Sequence, residues 1–366
     1  MSHPPSCCGP VNRVRLVFTP EPTRNLVLRY LSRLLGYKST RCFIVTFPFI
    51  ERTVLKPHRI IALLPLVAIL SACNAVVLHP SGDVAVQQRD LLLYAIELMS
   101  IVIVPVAFLT ALFAWHYRAS NTKARYEPHW HHSTKLEVVI WGVPVIIIGF
   151  LGVATWTTAH TLDPYHPITR IAPGQPVPPG TKPLKVEVVA LDWKWLFIYP
   201  ELGIATVNDL AAPVNQPIEF RITSSRVQNS FMIPAMAGQI YAMVGMETEL
   251  HAVINQPGDY KGYSSRFSGA GFSGMHFVFH GMNNSDFDKW VADARASGAA
   301  LDSASYLQLA VPSENEPVHR YASVDPQLYG KILDMCVEPG KMCLSTMRAL
   351  DLKKGNGLCQ PHVASN

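Results

Sequence analysis

The fold of this chain is decided by the stretch LDWKWLFIYP, residues 191–200, which begins a region of short apolar segments separated by turn residues. Segments rich in β-branched and aromatic residues and bounded by Pro, Gly, Asn and Asp are typical of β-strands. Their number and spacing predict an all-β sandwich of about 100 residues. The candidate strands are 184–192, 195–199, 217–223, 230–233, 247–254, 258–264 and 275–280.

The sequence pattern changes on both sides of this region. Before it lies a Pro- and Gly-rich stretch, and after it come the amphipathic segments 286–294 and 303–310 and a shorter helix near 326–335. Cys336 and Cys343 could form a disulfide in an oxidising compartment, but Cys359 leaves the pairing open. We therefore predict a linker at 159–183, the sandwich at 184–283, a helical region at 284–344 and a mobile tail at 345–366.

Two apolar stretches upstream are long enough to cross a membrane. Residues 91–115 contain one charged side chain, Glu97, and residues 136–158 contain one, Glu137. A spanning helix needs about 20 apolar residues, and both stretches exceed that length. Ionisable groups within such helices are costly and usually serve a function or face a partner, although the sequence assigns no role to Glu97.

The segment between the two spans, residues 116–135, carries four Lys or Arg residues and one Glu. Loops rich in Lys and Arg remain on the cytoplasmic side of the membrane. This loop is therefore predicted to be cytoplasmic, and both outer ends of the hairpin 91–158, with the whole C-terminal region, to be periplasmic.

The composition excludes a nucleic-acid-binding protein. The chain of 366 residues is 49% hydrophobic and only 16% charged, against about 25% charged for an average soluble domain. Its net charge of +5 arises from residues 1–59, which hold ten Lys or Arg and two Asp or Glu. The remainder has no basic surplus for a phosphate backbone to bind.

An apolar run at 60–70 follows two basic residues and ends in Leu-Ser-Ala before Cys73. This pattern is typical of a secretory signal peptide, and the Cys resembles the lipidated N-terminus of a bacterial lipoprotein. We predict a leader and signal at 1–72, of which 1–53 reflect a start site placed too far upstream, and a periplasmic segment at 73–90. The alternative is a buried Cys at the end of a membrane helix.

Taken together, these features resemble subunit II of the haem-copper terminal oxidases. The resemblance covers about residues 70–335. It depends on five motifs in a fixed order: AWHYRASN at 114–121, KLEVVIW at 135–141, LDWKWLFIYP at 191–200, VQNSFMIP at 227–234 and the loop 262–275. The predicted fold is thus a two-helix transmembrane hairpin, a periplasmic cupredoxin-like β-sandwich and a short α-helical C-terminal extension.

In family members that oxidise cytochrome c, the sandwich holds a binuclear copper centre. Its ligands are a His before a Ser-aromatic-x-x-Pro motif and a Cys-x3-Cys-x3-His-x2-Met loop, in which a glutamate lends its backbone carbonyl. Bridging thiolates and imidazoles suit copper, whereas hydroxyl, amide and phenyl groups do not. The corresponding residues in this chain are Asn229, Ser264, Arg266, Ser268, Phe272 and Met275, of which only Met275 matches the family pattern. The strand-pattern residues His251, His276 and His280 have no thiolate nearby in the sequence, so we predict no metal site and no cofactor in this chain.

The loss of these ligands resembles the quinol-oxidising branch, the cytochrome bo-type ubiquinol oxidases. That resemblance implies an inner-membrane complex in which subunit I carries the haems, one copper and the ubiquinol site, with subunits III and IV as further partners. Glu137 then corresponds to the glutamate at the cytoplasmic entrance of a proton channel. Trp193 and Trp195 are interpreted as packing residues, since no metal remains to accept electrons through them.

Two alternatives fit part of this pattern. A stand-alone envelope lipoprotein with a binding β-sandwich has the same topology, and the presence of a haem-bearing partner separates the two hypotheses. A cytochrome c oxidase subunit II with an atypical copper site requires other ligands, and copper analysis tests it.

Overall fold

The computed structural model describes residues 75–125 and 127–353, all of which belong to one compact unit at Leu70–Asn366. The predicted signal peptide, the lipid-attachment residue Cys73, the upstream start and Cys359 lie outside the described residues. Helix α1 is Asp83–His116 and helix α2 is Thr134–Thr161. Both are long and apolar enough to cross a membrane, and they contain the two predicted spans.

Helix α1 is longer than predicted, with 34 residues. At a rise of about 1.5 Å per residue it exceeds the hydrocarbon thickness of roughly 30 Å. Its first two turns therefore extend beyond the predicted span, and residues 83–90 of the segment predicted at 73–90 are helical and continuous with that span. The helix can begin that early because no helix-breaking residue lies between Gly82 and Pro105.

Fifteen strands follow within the described residues, and most of them form two facing sheets. One sheet has the order β10-β7-β3-β4-β5-β14 and the other β6-β12-β11-β8-β9. This arrangement confirms the β-sandwich. The strands are β1 Arg170–Ala172, β2 Gln175–Pro176, β3 Leu184–Leu191, β4 Lys194–Tyr199, β5 Ile204–Val207, β6 Asp209–Pro213, β7 Ile218–Ser224, β8 Asn229–Met232, β9 Ile240–Ala242, β10 Thr248–Ala252, β11 Gly258–Ser264, β12 His276–Met282, β13 Ala300–Leu301, β14 His319–Tyr321 and β15 Ser323–Val324.

Each of the seven predicted segments overlaps one strand, but β5, β6, β9, β13, β14 and β15 were not predicted. Strands β5 and β6 are separated by Asn208 alone, which has a φ of 56°. A single left-handed Asn makes this corner without the usual Gly or Pro turn residues. Strands β1 and β2 are a further correction, because they form a small hairpin inside the predicted linker.

Strand β4 explains why WLFIY, residues 195–199, is apolar throughout. Trp195, Phe197 and Tyr199 point into the core between the two sheets. Leu196 and Ile198 point to the opposite face, where the C-terminal helices cover the sheet. A strand buried on both faces has a continuous hydrophobic run instead of an alternating one.

Residues 301–332 of the C-terminal region pack against the outer face of the six-stranded sheet and include the edge strand β14, whereas residues 287–294 extend the core between the two sheets. Its helices are α3 Asn284–Ala296, α4 Ser303–Leu309, α5 Leu328–Leu333 and α6 Leu344–Lys353. The first three agree with the predicted helical segments. Helix α6 corrects the predicted mobile tail over its described part, where Asp334 caps the backbone N–H of Ser345 at 2.8 Å. Cys336 and Cys343 form a disulfide, so their sulfurs are not thiolates available to a metal.

Candidate functional site

Trp193 lies in the turn between β3 and β4 and contacts the loop 262–275, which contains five of the six aligned copper-ligand positions. Its φ is 65°, and its indole Nε1 donates a hydrogen bond to the Ser268 carbonyl at 3.1 Å. Gly271 lies so close to the indole that a Cβ at this position would be 2.5 Å from the ring. Trp193 therefore fixes the backbone of the loop, in agreement with the packing role predicted for it.

The next residue, Lys194, connects the sandwich to the C-terminal region. Its side chain is only 2% exposed, and Nζ donates to the Val311 carbonyl at 3.0 Å and to Ser313. Nζ also lies 3.4 Å from Glu316 Oε2. Hydrogen bonds from Ser313, His319 and Lys194 lower the pKa of Glu316 to about 2. A buried ammonium is tolerated only when it is paired in this way.

The six aligned copper-ligand positions lie together at one end of the sandwich. Ser264 Oγ is 3.3 Å from Asn229 Oδ1 and 3.2 Å from the Arg266 carbonyl. Asn229 Nδ2 donates to the Val227 carbonyl at 3.0 Å. Asn229 and Ser264 are both buried, so hydrogen bonds between polar side chains and backbone occupy this part of the loop.

The other half of the loop is apolar. Ser268 Oγ is 4.0 Å from Met275 Sδ, and Met275 is buried. Phe272 packs edge-on against Phe267, with ring centroids 5.6 Å apart. Together the six positions offer one thioether and no thiolate or imidazole, so they do not fit a binuclear copper centre.

Glu137 lies in the first turn of α2 and is about half exposed. Its Oε1 is 2.7 Å from His132 Nδ1, and His132 Nε2 is 3.2 Å from Thr134 Oγ1. This contact was not expected from the sequence, because His132 lies in the loop before the helix, five positions from Glu137. The positive end of the helix dipole favours a carboxylate at this position.

Glu97 is exposed on α1 and makes no hydrogen bond or ion pair with any other described residue. A charged side chain within a membrane span is costly, and such residues usually face protein or water. The structure, like the sequence, therefore assigns Glu97 no role among the described residues of this chain.

A second polar cluster was not expected from the sequence. Asp209 is 3% exposed and accepts hydrogen bonds from Trp290 Nε1 at 3.2 Å and Arg320 Nη2 at 2.9 Å. His280 Nε2 is 3.0 Å from Asp209 Oδ1, and its Nδ1 is 2.6 Å from Asp259 Oδ1. His280 therefore belongs to a hydrogen-bond network that joins the sandwich to α3 and β14. Its structural role is larger than that of an ordinary strand residue.

The charges in this network shift two pKa values in opposite directions. Hydrogen bonding to Asp209 raises the pKa of His280. Burial alone would raise the pKa of Asp209, but hydrogen bonds from His280 and Arg320 outweigh burial and lower it. Both groups are therefore charged at mildly acidic pH, where their attraction stabilises the fold.

Glu187, on β3, gives the sandwich a measurable pH dependence. Burial, followed by repulsion from Glu247, raises its pKa from the ordinary 4.5 to about 7. The folded protein then binds this proton more tightly than the unfolded chain does, so stability falls as the pH rises between these two values.

We expect Glu187→Gln to stabilise the protein at pH 8 by about 1 kcal/mol, after allowance for solvent screening, and to change little at pH 5. Thermal unfolding of the detergent-solubilised chain at both pH values measures this difference. Glu201→Gln, at an exposed turn position, is the matched control. An equal effect of Glu187→Gln at both pH values would contradict the assignment.

Comparisons with known proteins cover most of the chain. The family model "Cytochrome C oxidase subunit II, periplasmic domain" matches residues 184–282, and "COX Aromatic Rich Motif" matches residues 295–340. The chain is 48% identical over 278 residues to cytochrome bo(3) ubiquinol oxidase subunit 2 of Pseudomonas putida, covering 75% of this chain and 86% of the relative. It is 51% identical over 265 residues to ubiquinol oxidase subunit 2 of Acetobacter aceti, covering 72% and 84%. Quinol oxidase subunit 2 of Bacillus subtilis is 36% identical over 261 residues, covering 70% and 78%.

Proposed function

Because the chain belongs to the ubiquinol oxidase subunit 2 family of the haem-copper oxidases, we propose that it is the subunit without a redox centre in a proton-pumping complex. The complex oxidises ubiquinol and reduces oxygen to water. This membership favours the ubiquinol oxidase over the stand-alone lipoprotein and over the cytochrome c oxidase with an atypical copper site. Both predicted alternatives are therefore set aside.

We infer the absence of a redox centre from the side chains at the six aligned copper-ligand positions, which are Asn229 and five residues of the loop 262–275. Asn229 and Ser264 contact each other, and Ser268 lies beside the single thioether of Met275. Copper would need thiolate or imidazole ligands in their place. Ubiquinol dissolves in the membrane, so it can deliver electrons to subunit I without a relay in the periplasmic domain. The haems and the copper of the complex then belong to subunit I.

Glu137 is the side chain that we assign to proton uptake. It is half exposed in the first turn of α2, at the cytoplasmic end of the hairpin, and it contacts His132 at 2.7 Å. Both side chains are more than half exposed, so water can reach this pair. Its position supports entry of protons into a channel that continues into subunit I.

The remaining assignments concern anchoring and assembly. The exposed apolar surfaces of α1 and α2 fit the lipid bilayer and the membrane helices of subunit I, with subunits III and IV as further partners. An acyl chain on Cys73 would hold the N-terminus on the periplasmic side, where the start of α1 meets the sandwich. The subunit would then cap the complex on its periplasmic face.

Oxygen uptake by the detergent-solubilised complex tests this function. We expect uptake with ubiquinol and none with reduced cytochrome c, because no electron relay faces the periplasm. A complex that consumes oxygen at comparable rates with both donors would contradict the proposal. Purification of this chain without a haem-bearing subunit would contradict it as well.

A further inference from the structure

Cys336 and Cys343 lie at the two ends of a mostly exposed loop between α5 and α6. They form a disulfide, with their Cα atoms 4.7 Å apart, and both residues are only partly buried. Exposed disulfides are the ones that exchange most readily with thiols from solvent. The function proposed above assigns no role to this pair.

The polypeptide next to the disulfide holds the two cysteines together without the S–S bond. The backbone N–H of Leu344 donates to the Asp334 carbonyl at 2.9 Å, and the Ser345 N–H donates to Asp334 Oδ1 at 2.8 Å. Leu344 also packs against Gly245, where an added Cβ would be 3.1 Å from Leu344 Cδ2. Because these contacts fix the start of α6 beside the end of α5, the two sulfurs remain neighbours once the disulfide is reduced.

The end of α5 likewise sets the position of Cys336. The Cys336 backbone N–H donates to the Lys331 carbonyl at 2.9 Å, and the preceding residue, Met335, has a φ of 58°. This is the Schellman arrangement, in which a residue in the left-handed conformation closes a helix. The hydrogen bond belongs to the helix end itself, so it does not require the S–S bond.

A carboxylate lies beside the two sulfurs. One side-chain oxygen of Asp334 and the Sγ atoms of Cys336 and Cys343 all lie within 4.8 Å of one another, the one such group of three potential metal ligands among the described residues. In a tetrahedral site with Zn–S of about 2.3 Å and Zn–O of about 2.0 Å, neighbouring ligand atoms are about 3.5–3.8 Å apart. The three donors are therefore close enough to bind one ion when the sulfurs are thiolates.

The chemistry of these donors selects the metal. Mg²⁺ and Ca²⁺ take oxygen ligands, and copper(I) prefers thiolates and thioethers over carboxylates. Zinc accepts thiolates and carboxylates in one tetrahedral shell and leaves the fourth position to water when only three protein ligands are present. Two thiolates and one carboxylate therefore suit Zn²⁺.

We propose that Cys336, Cys343 and Asp334 form a redox-dependent zinc site. A dithiol reduces the disulfide by thiol–disulfide exchange: the dithiol is oxidised to its own disulfide, and its two protons remain on Cys336 and Cys343 as thiols. Zn²⁺ then binds both sulfurs and displaces these two protons. The metal replaces the S–S bond between α5 and α6, and oxidation of the pair excludes it. The proposal does not depend on the function proposed above, since the electrons come from the dithiol and not from ubiquinol.

Zinc analysis of the complete complex before and after reduction tests this proposal. The detergent-solubilised complex is treated with dithiothreitol in the absence of oxygen and freed of it by gel filtration. It is then incubated with zinc chloride and freed of unbound metal. We expect about one zinc ion per complex more than in the unreduced sample. We also expect zinc to slow the alkylation of Cys336 and Cys343 by iodoacetamide, as measured by peptide mass spectrometry.

Variants of this chain locate the metal. Cys336→Ser and Cys343→Ser should each abolish the additional zinc, whereas Cys359→Ser should retain it. Asp334→Asn keeps an oxygen that caps α6 but removes the carboxylate. It should raise the Kd for zinc by about 10–100-fold or more, since even the loss of an outer-shell partner typically costs this much. Asp351→Asn, at an exposed position on α6, is the matched control and should leave the Kd unchanged. Normal haem content, with an intact disulfide before reduction in the two Asp variants, shows that the variants fold.

Several results would overturn the proposal. One is the absence of additional zinc in a sample in which both cysteines are free thiols. Another is additional zinc that persists in Cys336→Ser or Cys343→Ser, which would place the metal elsewhere in the complex. A disulfide that stays intact in dithiothreitol while the complex remains assembled would overturn it too. Loss of the zinc in Cys359→Ser, or an unchanged Kd in Asp334→Asn, would contradict the proposed ligands. Ubiquinol-driven oxygen uptake by the same complex tests the proposed function separately.

Discussion

Replacing Glu137 with glutamine is expected to lower ubiquinol-driven oxygen uptake by the complex by about tenfold or more. Loss of a positioned proton-transfer group typically costs a factor of about 10²–10⁴ in the step that it serves. Glutamine keeps the size of the side chain and its hydrogen bond to His132, but it cannot take up and release a proton. The measurement is steady-state oxygen uptake at saturating ubiquinol, normalised to the haem content of the complex.

Two further variants distinguish proton uptake from a structural role of Glu137. Glu137→Asp keeps the carboxylate and should retain much of the activity. Glu127→Gln changes an exposed carboxylate that pairs with Arg125 in the same loop, and it should leave turnover unchanged. Full activity of Glu137→Gln in a complex with normal haem content would rule out Glu137 as the proton entry.

Removal of the buried carboxylate in Asp209→Ala is expected to destabilise the periplasmic region by about 3–5 kcal/mol, since it leaves Arg320 without its carboxylate partner and His280 with only the exposed Asp259. The directions of the two pKa shifts determine the pH range over which this loss of stability is measured. The lowered pKa of Asp209 means that its contribution is present above the ordinary value of 3.8 and lost as the pH falls through the folded-state pKa. The raised pKa of His280 means that its contribution is present below 6.5 and lost as the pH rises through its folded-state pKa. The effect of Asp209→Ala should therefore be largest between these two limits.

Asp259→Ala provides the matched control for this prediction. Asp259 contacts the other nitrogen of the same histidine, but its side chain is 73% exposed. Exposed ion pairs typically contribute about 0–1 kcal/mol. Thermal unfolding of the detergent-solubilised chain near pH 5.5 compares the two variants. Equal effects of Asp209→Ala and Asp259→Ala would show that the Asp209 network does not stabilise the junction with α3 and β14.

Strongly patterned parts of the fold were predictable from the sequence. The two spans and the strands around LDWKWLFIYP have local hydrophobic patterns long enough to identify. The position of the former copper ligands followed from the resemblance, and the structure brings Asn229, Ser264 and Met275 to the same end of the sandwich. Strands β5 and β6 were missed because Asn208 alone forms the corner between them.

The polar networks were not predictable, because their members are far apart along the chain. Asp209 and Arg320 are separated by 111 residues, and Asp83 and Arg170 by 87. No local spacing relates such residues, and a single acidic residue in a strand or at a helix start resembles many exposed ones. Their pairing becomes visible only when the sheet order and the helix junction are known.

In the proposed function, this chain carries no redox centre and electrons pass from ubiquinol to subunit I. Copper and haem analysis of the purified native complex is the decisive experiment. We expect one copper and two haems per complex, all in subunit I. Three coppers per complex, together with oxygen uptake from reduced cytochrome c, would contradict it, because a binuclear copper centre would then be present in this subunit.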